Sequence, residues 1–147
     1  MSKNFNQPLS GNDMPRYAGP GTMFRLPQQA NAKGLDVAIA GVGLDIGTSN
    51  RTGTRFGPRQ IRNESAMVRP YCMATAAAPF DSFQIADVGD VALNSFDLLK
   101  SIDIIESFYD DLLTVSRLCF CPGYQFAGIS TQAHRPAHVN YTVLIRH

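Results

Sequence analysis

The sequence predicts an α/β fold, a sandwich built on a mainly parallel sheet covered by helices. Three observations predict it. Leu35–Gly43 is a nearly continuous apolar run with β-branched Val37, Ile39 and Val42, which suits a strand buried on both faces. Strand and helix patterns then alternate along the chain, the order expected of a sheet covered by helices. Hydrophobic residues make up 44% and charged residues 17% of the 147, a globular composition long enough for one core.

Met1–Gln29 is rich in Pro, Gly and Asn, with scattered apolar residues such as Phe5, Leu9, Tyr17 and Phe24. No helical or strand period survives there, so an extended arm (residues 1–29), packed by its aromatics, is expected. The first strand follows. The stretch LDIGTSNRTGTRFGPR is a loop, because Gly permits positive φ and Ser, Thr and Asn bond their own backbone. Pro58 suits the first turn of a helix over Gln60–Val68, and Pro70 ends it. Phe83–Val88 reads as a second strand. Asn94 or Ser95 is expected to cap a long helix reaching about Thr114, with Asp97 near the positive end of its dipole. Leu98, Ile102, Ile105, Tyr109 and Leu112 form its apolar stripe, and Asp103, Glu106 and Asp110 fall mainly opposite.

After Arg117 the character changes. Leu118–His147 holds two of the three Cys, all three His and no acidic residue. The expected organisation is therefore an arm over 1–29, a domain over 30–117 and a tail of different character over 118–147, with Tyr141–Ile145 a terminal strand that could cover a free edge of the first strand.

Composition narrows the partners. Thirteen basic and twelve acidic side chains leave a formal charge of +1, which favours neither nucleic acid nor an anionic membrane. No apolar run is long enough to cross a bilayer. The start of the chain shows neither a secretory core nor the arginines of a transit peptide, so the cytoplasm is the expected compartment, with a mitochondrial intact form left open. The odd cysteine count, Cys72, Cys119 and Cys121, reads as reduced thiols.

Several segments, in order, carry a resemblance. They are SGNDMPRYAG (Ser10–Gly19), LDVAIAGVGLDIGTSNRTGTRFGPRQIR (Leu35–Arg62), MVRPY (Met67–Tyr71), APFDS (Ala78–Ser82) and ADVGDV (Ala86–Val91). Each is weak alone. Together they resemble the agmatinase-like members of the arginase/ureohydrolase superfamily, which include guanidinobutyrase and guanidinopropionase, over about Ser10–Leu113. Gly43 and Thr52 stand where such proteins often carry proline. The resemblance implies an arginase-like fold, of which this chain would be the first part of a three-layer α/β/α sandwich cut short of its later strands. It implies trimers or hexamers, and hydrolysis of a C–N bond in a linear amidine, such as agmatine to urea and putrescine. It also implies two Mn²⁺ ions bridged by a hydroxide that attacks the guanidinium carbon. A resonance-stabilised guanidinium is a poor electrophile, and a metal pair supplies a strong nucleophile at neutral pH.

The motifs that hold those ions, GGDH, DAHxD and SxDxDxxDP, do not occur in the 147 residues. The long helix is followed by TVSRLCFCPGYQFAGIS instead. No catalytic or metal-binding residue is therefore expected, and no cofactor is expected to bind this chain. Loss of later strands is also expected to leave the first strand without one neighbour. Two functional readings follow: a truncated agmatinase-like product inactive alone, or a non-catalytic partner that modulates full-length ureohydrolase oligomers.

Three clusters remain. The loop at the carboxyl end of the first strand places Asp45, Asn50 and Arg51 near a substrate entrance, since open α/β sheets bind ligands outside that edge. The preferred alternative makes GTRFGP scaffold, with Arg55 and Arg59 in ion pairs. Asp87 and Asp90 resemble an acid–base pair, but an Asp ending a buried strand more often fixes a turn through backbone N–H groups. Cys119, Cys121, His134 and His138 suggest zinc, yet C-x-C lacks the two to four intervening residues that such sites use.

Overall fold

The computed structural model describes residues 4–115, together with two strands at Leu118–Pro122 and Tyr141–Ile145. In chain order the elements are β1 (Val37–Gly41), α1 (Gly57–Ser65), α2 (Pro79–Ser82), β2 (Ile85–Asp90), α3 (Leu98–Val115), β3 (Leu118–Pro122) and β4 (Tyr141–Ile145). The sheet order is β2-β1-β3-β4. β1 runs parallel to both β2 and β3, and β4 runs antiparallel to β3.

Side-chain alternation along β1 explains the layers. Ala38 and Ala40 face one side, where they pack with Ala86 of β2 and with Leu112, Phe108 and Tyr109 of α3. Ile39, with Val37 beside it, faces the other side and meets Phe80 of α2, Ile61 of α1 and Met23 and Leu26 of the arm. Both faces of the strand are thus covered, which is why its sequence is apolar without a break. A third cluster, Val42, Leu44, Val91 and Ile105, joins the carboxyl ends of β1 and β2 to α3.

The helices obey local rules with shifted ends. Pro58 lies in the first turn of α1, as its ring demands. The helix stops at Ser65, well before Pro70, in tight turns from Met67 N–H to the Glu64 carbonyl and from Val68 N–H to the Ser65 carbonyl. Arg16 holds that exit by donating to the Met67 and Val68 carbonyls. The cap of α3 is Asp97, not Asn94 or Ser95: its Oδ1 accepts from Lys100 N–H at 3.1 Å. Asn94 makes the preceding turn, accepting from Phe96 N–H at 2.9 Å. Ile105 and Leu112 are buried, and Asp103, Glu106 and Asp110 are exposed, as the stripe predicts.

The arm packs on its own domain through Met23, Leu26 and Phe24, whose ring meets Phe80 edge-on at 5.8 Å, whereas Tyr17 is 93% exposed. One expectation is corrected outright. β1 does not lack a neighbour, because β3 pairs with it from Val37↔Leu118 to Ile39↔Phe120. Tyr141–Ile145 is a strand, as expected, but the edge it covers is that of β3, not that of β1.

Candidate functional site

The carboxyl ends of β1, β2 and β3 lie at one edge of the sheet because the three strands are parallel. The loop after β1 and the segment after β2 enclose a small open pocket there, lined by Gly43, Leu44, Asp45, Ile46, Arg55, Leu93 and Ser95. Asp45 is buried at its rim. Its Oδ1 accepts from Arg55 Nε at 2.6 Å and pairs with Nη2 at 2.5 Å, and its Oδ2 accepts from Gly53 N–H at 2.9 Å. The Asp45 carbonyl accepts from the Thr48 hydroxyl at 2.7 Å. These bonds fold residues 45–55 into a closed loop. The Arg55 guanidinium, then the Gly53 amide, hold the Asp45 carboxyl down at about 2. Gly43 completes the closure, since a Cβ there would stand 2.7 Å from the Arg55 carbonyl oxygen.

Of the expected entrance residues, only Asp45 lines the pocket. Asn50 and Arg51 are exposed farther along the loop and do not line it. Of the two arginines offered as scaffold, Arg55 makes its ion pair, and Arg59 is exposed on α1.

The second cluster is centred on Arg62 of α1, which sequence reasoning did not single out. Asp87 is almost wholly buried, and Arg62 grips it with two bonds, Nε to Oδ2 at 2.7 Å and Nη2 to Oδ1 at 2.9 Å. Nη1 of the same guanidinium meets Asp90 Oδ1 at 2.5 Å, and Nη2 also donates to the Gly89 carbonyl. Asp87 further accepts from Met23 N–H at 2.7 Å and Gly89 N–H at 2.9 Å. Burial works against the Arg62 charge, yet the bonds to Asp87 and Asp90 outweigh it and its pKa rises. Residues 87 and 90 would fall on opposite faces of a regular strand. The register shifts between Ile39 and Ala40, so that Ala40 pairs with Gly89 and Val88 is bulged out. Gly89 takes φ +86° there, and the bulge brings both carboxylates to the α1 face. The pair is a structural clamp with an arginine at its centre, not an acid–base couple.

Among the described residues, no group of three or more His, Cys, Asp or Glu is placed to hold a metal ion. The buried carboxylates Asp45 and Asp87 already spend their oxygens on arginines and amides. These residues do not fit a two-manganese centre. Cys119 and Cys121 lie on β3, and His134 and His138 lie outside the described residues.

Residues 35–123 match the model of the Arginase family, more than half of the chain. The chain belongs to that family. The match runs through β1, α1, α2, β2, α3 and β3. A guanidinobutyrase of Pseudomonas aeruginosa is 60% identical over 116 residues, which are 77% of this chain and 36% of that protein. The mitochondrial agmatinase of Gallus gallus is 51% identical over 112 residues, 76% of this chain and 33% of its own. Among solved structures, the proclavaminate amidino hydrolase of Streptomyces clavuligerus superimposes with a TM-score of 0.67 at 38% identity, covering 70% of this chain and 35% of that one. A hypothetical agmatinase from Burkholderia thailandensis gives 0.64 at 28% identity, covering 68% and 32%. The arginase-like α/β fold is thereby shown. The chain spans about a third of the length of the curated relatives it matches.

Proposed function

We propose that this arginase-family chain supplies the first strands and the entrance loop of an agmatinase-type ureohydrolase fold, and that the 147 residues alone do not hydrolyse guanidino compounds. The reaction to which the fold belongs would cleave a guanidino compound into urea and an amine. Agmatine and guanidinobutyrate are the substrates suggested by the names of the relatives. The observation that carries the negative half is the state of the buried carboxylates. Asp45 and Asp87 are each committed to an arginine, and the sequence contains no GGDH, DAHxD or SxDxDxxDP. Without those ligands there is nothing to hold the manganese pair that generates hydroxide at neutral pH. Asp45, Asn50 and Arg51 then serve the entrance: Asp45 shapes the loop, and the other two present polar groups to whatever approaches. We assign the chain to the cytoplasm and divide it into an arm over 1–29, the partial domain over 30–117 and a tail over 118–147, of which residues 118–123 still fall within the family match.

The test is urea release by the purified 147-residue chain, supplied with Mn²⁺ and either agmatine or guanidinobutyrate. No turnover above the metal-only control is expected. Manganese-dependent urea release would overturn the reading.

A second reading, a non-catalytic partner of larger ureohydrolase subunits, is favoured by the exposed apolar side chains. Tyr17, Met67, Val68 and Met73 are 93%, 65%, 54% and 81% exposed. Arg16, next to Tyr17, bonds the Met67 and Val68 carbonyls, and a contiguous apolar patch there would mark an interface. Co-purification with a full-length homologue tests it.

A further inference from the structure

We propose that β4 is a built-in edge cap: it occupies the free edge of β3 from within the same chain and closes that edge to strands of other chains. The argument begins with the strands of the family match. β2, β1 and β3 form a parallel set, and such a set has two edges that present unpaired N–H and C=O groups. The β2 edge is covered by the arm. Gln28 bridges Asp87 in parallel, Gln29 N–H donates to the Asp87 carbonyl at 2.9 Å, and Asp87 N–H donates to the Pro27 carbonyl at 3.2 Å.

The other edge belongs to β3, and β4 takes all five of its positions, from Leu118↔Ile145 through Phe120↔Val143 to Pro122↔Tyr141. Its direction is informative. A sheet that continues by strand, helix and strand adds parallel strands, whereas β4 is antiparallel, the arrangement by which mixed sheets end. Its sequence, Tyr-Thr-Val-Leu-Ile, is β-branched and aromatic, which suits pairing along the β3 ladder; β4 is itself the last strand of the sheet. A strand of a second molecule cannot reach β3 while β4 is in place. Any association with a larger homologue must therefore use the outer edge of β4 or a surface away from the sheet edge.

Hydrogen exchange on the full chain tests this. Leu118–Cys121 amides are expected to be protected to the same degree at low and high protein concentration. Val143→Pro removes a donor in the middle of β4. It should speed exchange of those Leu118–Cys121 amides that face β4 by roughly tenfold or more, while the Ala38–Ala40 amides of β1 keep their protection. Unchanged exchange in the variant overturns the proposal. Protection that vanishes on dilution does so as well, because a second copy would then be the cover. Should Val143→Pro unfold the chain, Leu144→Cys decides instead. Residue 144 stands opposite Cys119, and directly opposed positions have Cβ atoms about 4.5–5.5 Å apart. A short bifunctional thiol cross-linker that spans that distance should give an intramolecular 119–144 link in peptide maps. Its absence, or intermolecular links in its place, overturns the cap.

Discussion

At the scale of single residues, Arg62 decides most. Its guanidinium neutralises a carboxylate that has almost no access to water, and it ties α1 to the end of β2. Breaking a buried pair from one side is far more costly than never having built it, because the surviving charge stays in a low-dielectric site. Arg62→Met keeps most of the side-chain volume and removes the charge. The expected loss is about 3–5 kcal/mol, read as a lower urea midpoint at unchanged slope. A loss below about 1 kcal/mol, the level of an exposed pair, would show that the clamp does not carry the stability assigned to it. The structural role of Asp87 was legible in the sequence as a strand-ending Asp. Its partner was not, since 25 positions separate the two and no local pattern links them. The isolated Gly89 was the available signal, because a Gly within a strand pattern marks a bulge. That bulge is what sets Asp87 and Asp90 side by side.

At the scale of elements, the loop after β1 behaves as a unit fastened by one carboxylate. The Asp45 carboxyl is held at about 2, below its ordinary 3.8, chiefly by Arg55 and then by the Gly53 amide. A depressed folded-state pKa means that the stabilisation is complete above the unfolded value and fades as pH falls from about 3.8 through about 2. The Gly53 amide resonance should therefore titrate with a midpoint near 2, and Asp45→Asn should abolish that titration. A midpoint near the ordinary carboxylate value would mean that Arg55 does not hold the loop closed. The Gly, Ser, Thr and Asn content announces a loop, and Arg55 stands out as an ion-pair candidate; that its partner is the buried carboxylate of Asp45 does not follow from composition. Composition reports that a segment turns, but which side chain turns inward depends on closure over ten residues. The helix ends show the same limit. The stripe of α3 was readable from spacing, whereas the choice of Asp97 over its neighbours as cap depended on where the chain leaves β2.

At the scale of the whole molecule, β1 serves two cores at once, and this accounts for what could be foreseen. Its unbroken apolar run stated that both faces are covered, and the strand–helix order stated the layers. The pairing of β3 and β4 could not be derived, because strand partners distant in sequence are selected by tertiary fit. Sharing one strand between two cores has a measurable consequence. On one face Leu112 is buried against Ala38, Ala40 and Ala86, whose small side chains let α3 approach the sheet closely. Leu112→Ala should leave a cavity there and cost about 2–5 kcal/mol. The arm, α1 and α2 lie on the opposite face and do not touch that cavity, yet they rest on Ile39 and Val37 of the same strand. Unfolding should therefore remain a single transition in the variant. Far-ultraviolet dichroism, tyrosine fluorescence and the amide protection of β1 and β2 should all be lost at one lowered midpoint. If α3 melts first while the β1 and β2 amides stay protected at the original midpoint, the two faces are separate cooperative units, and the coupling assigned to β1 is wrong.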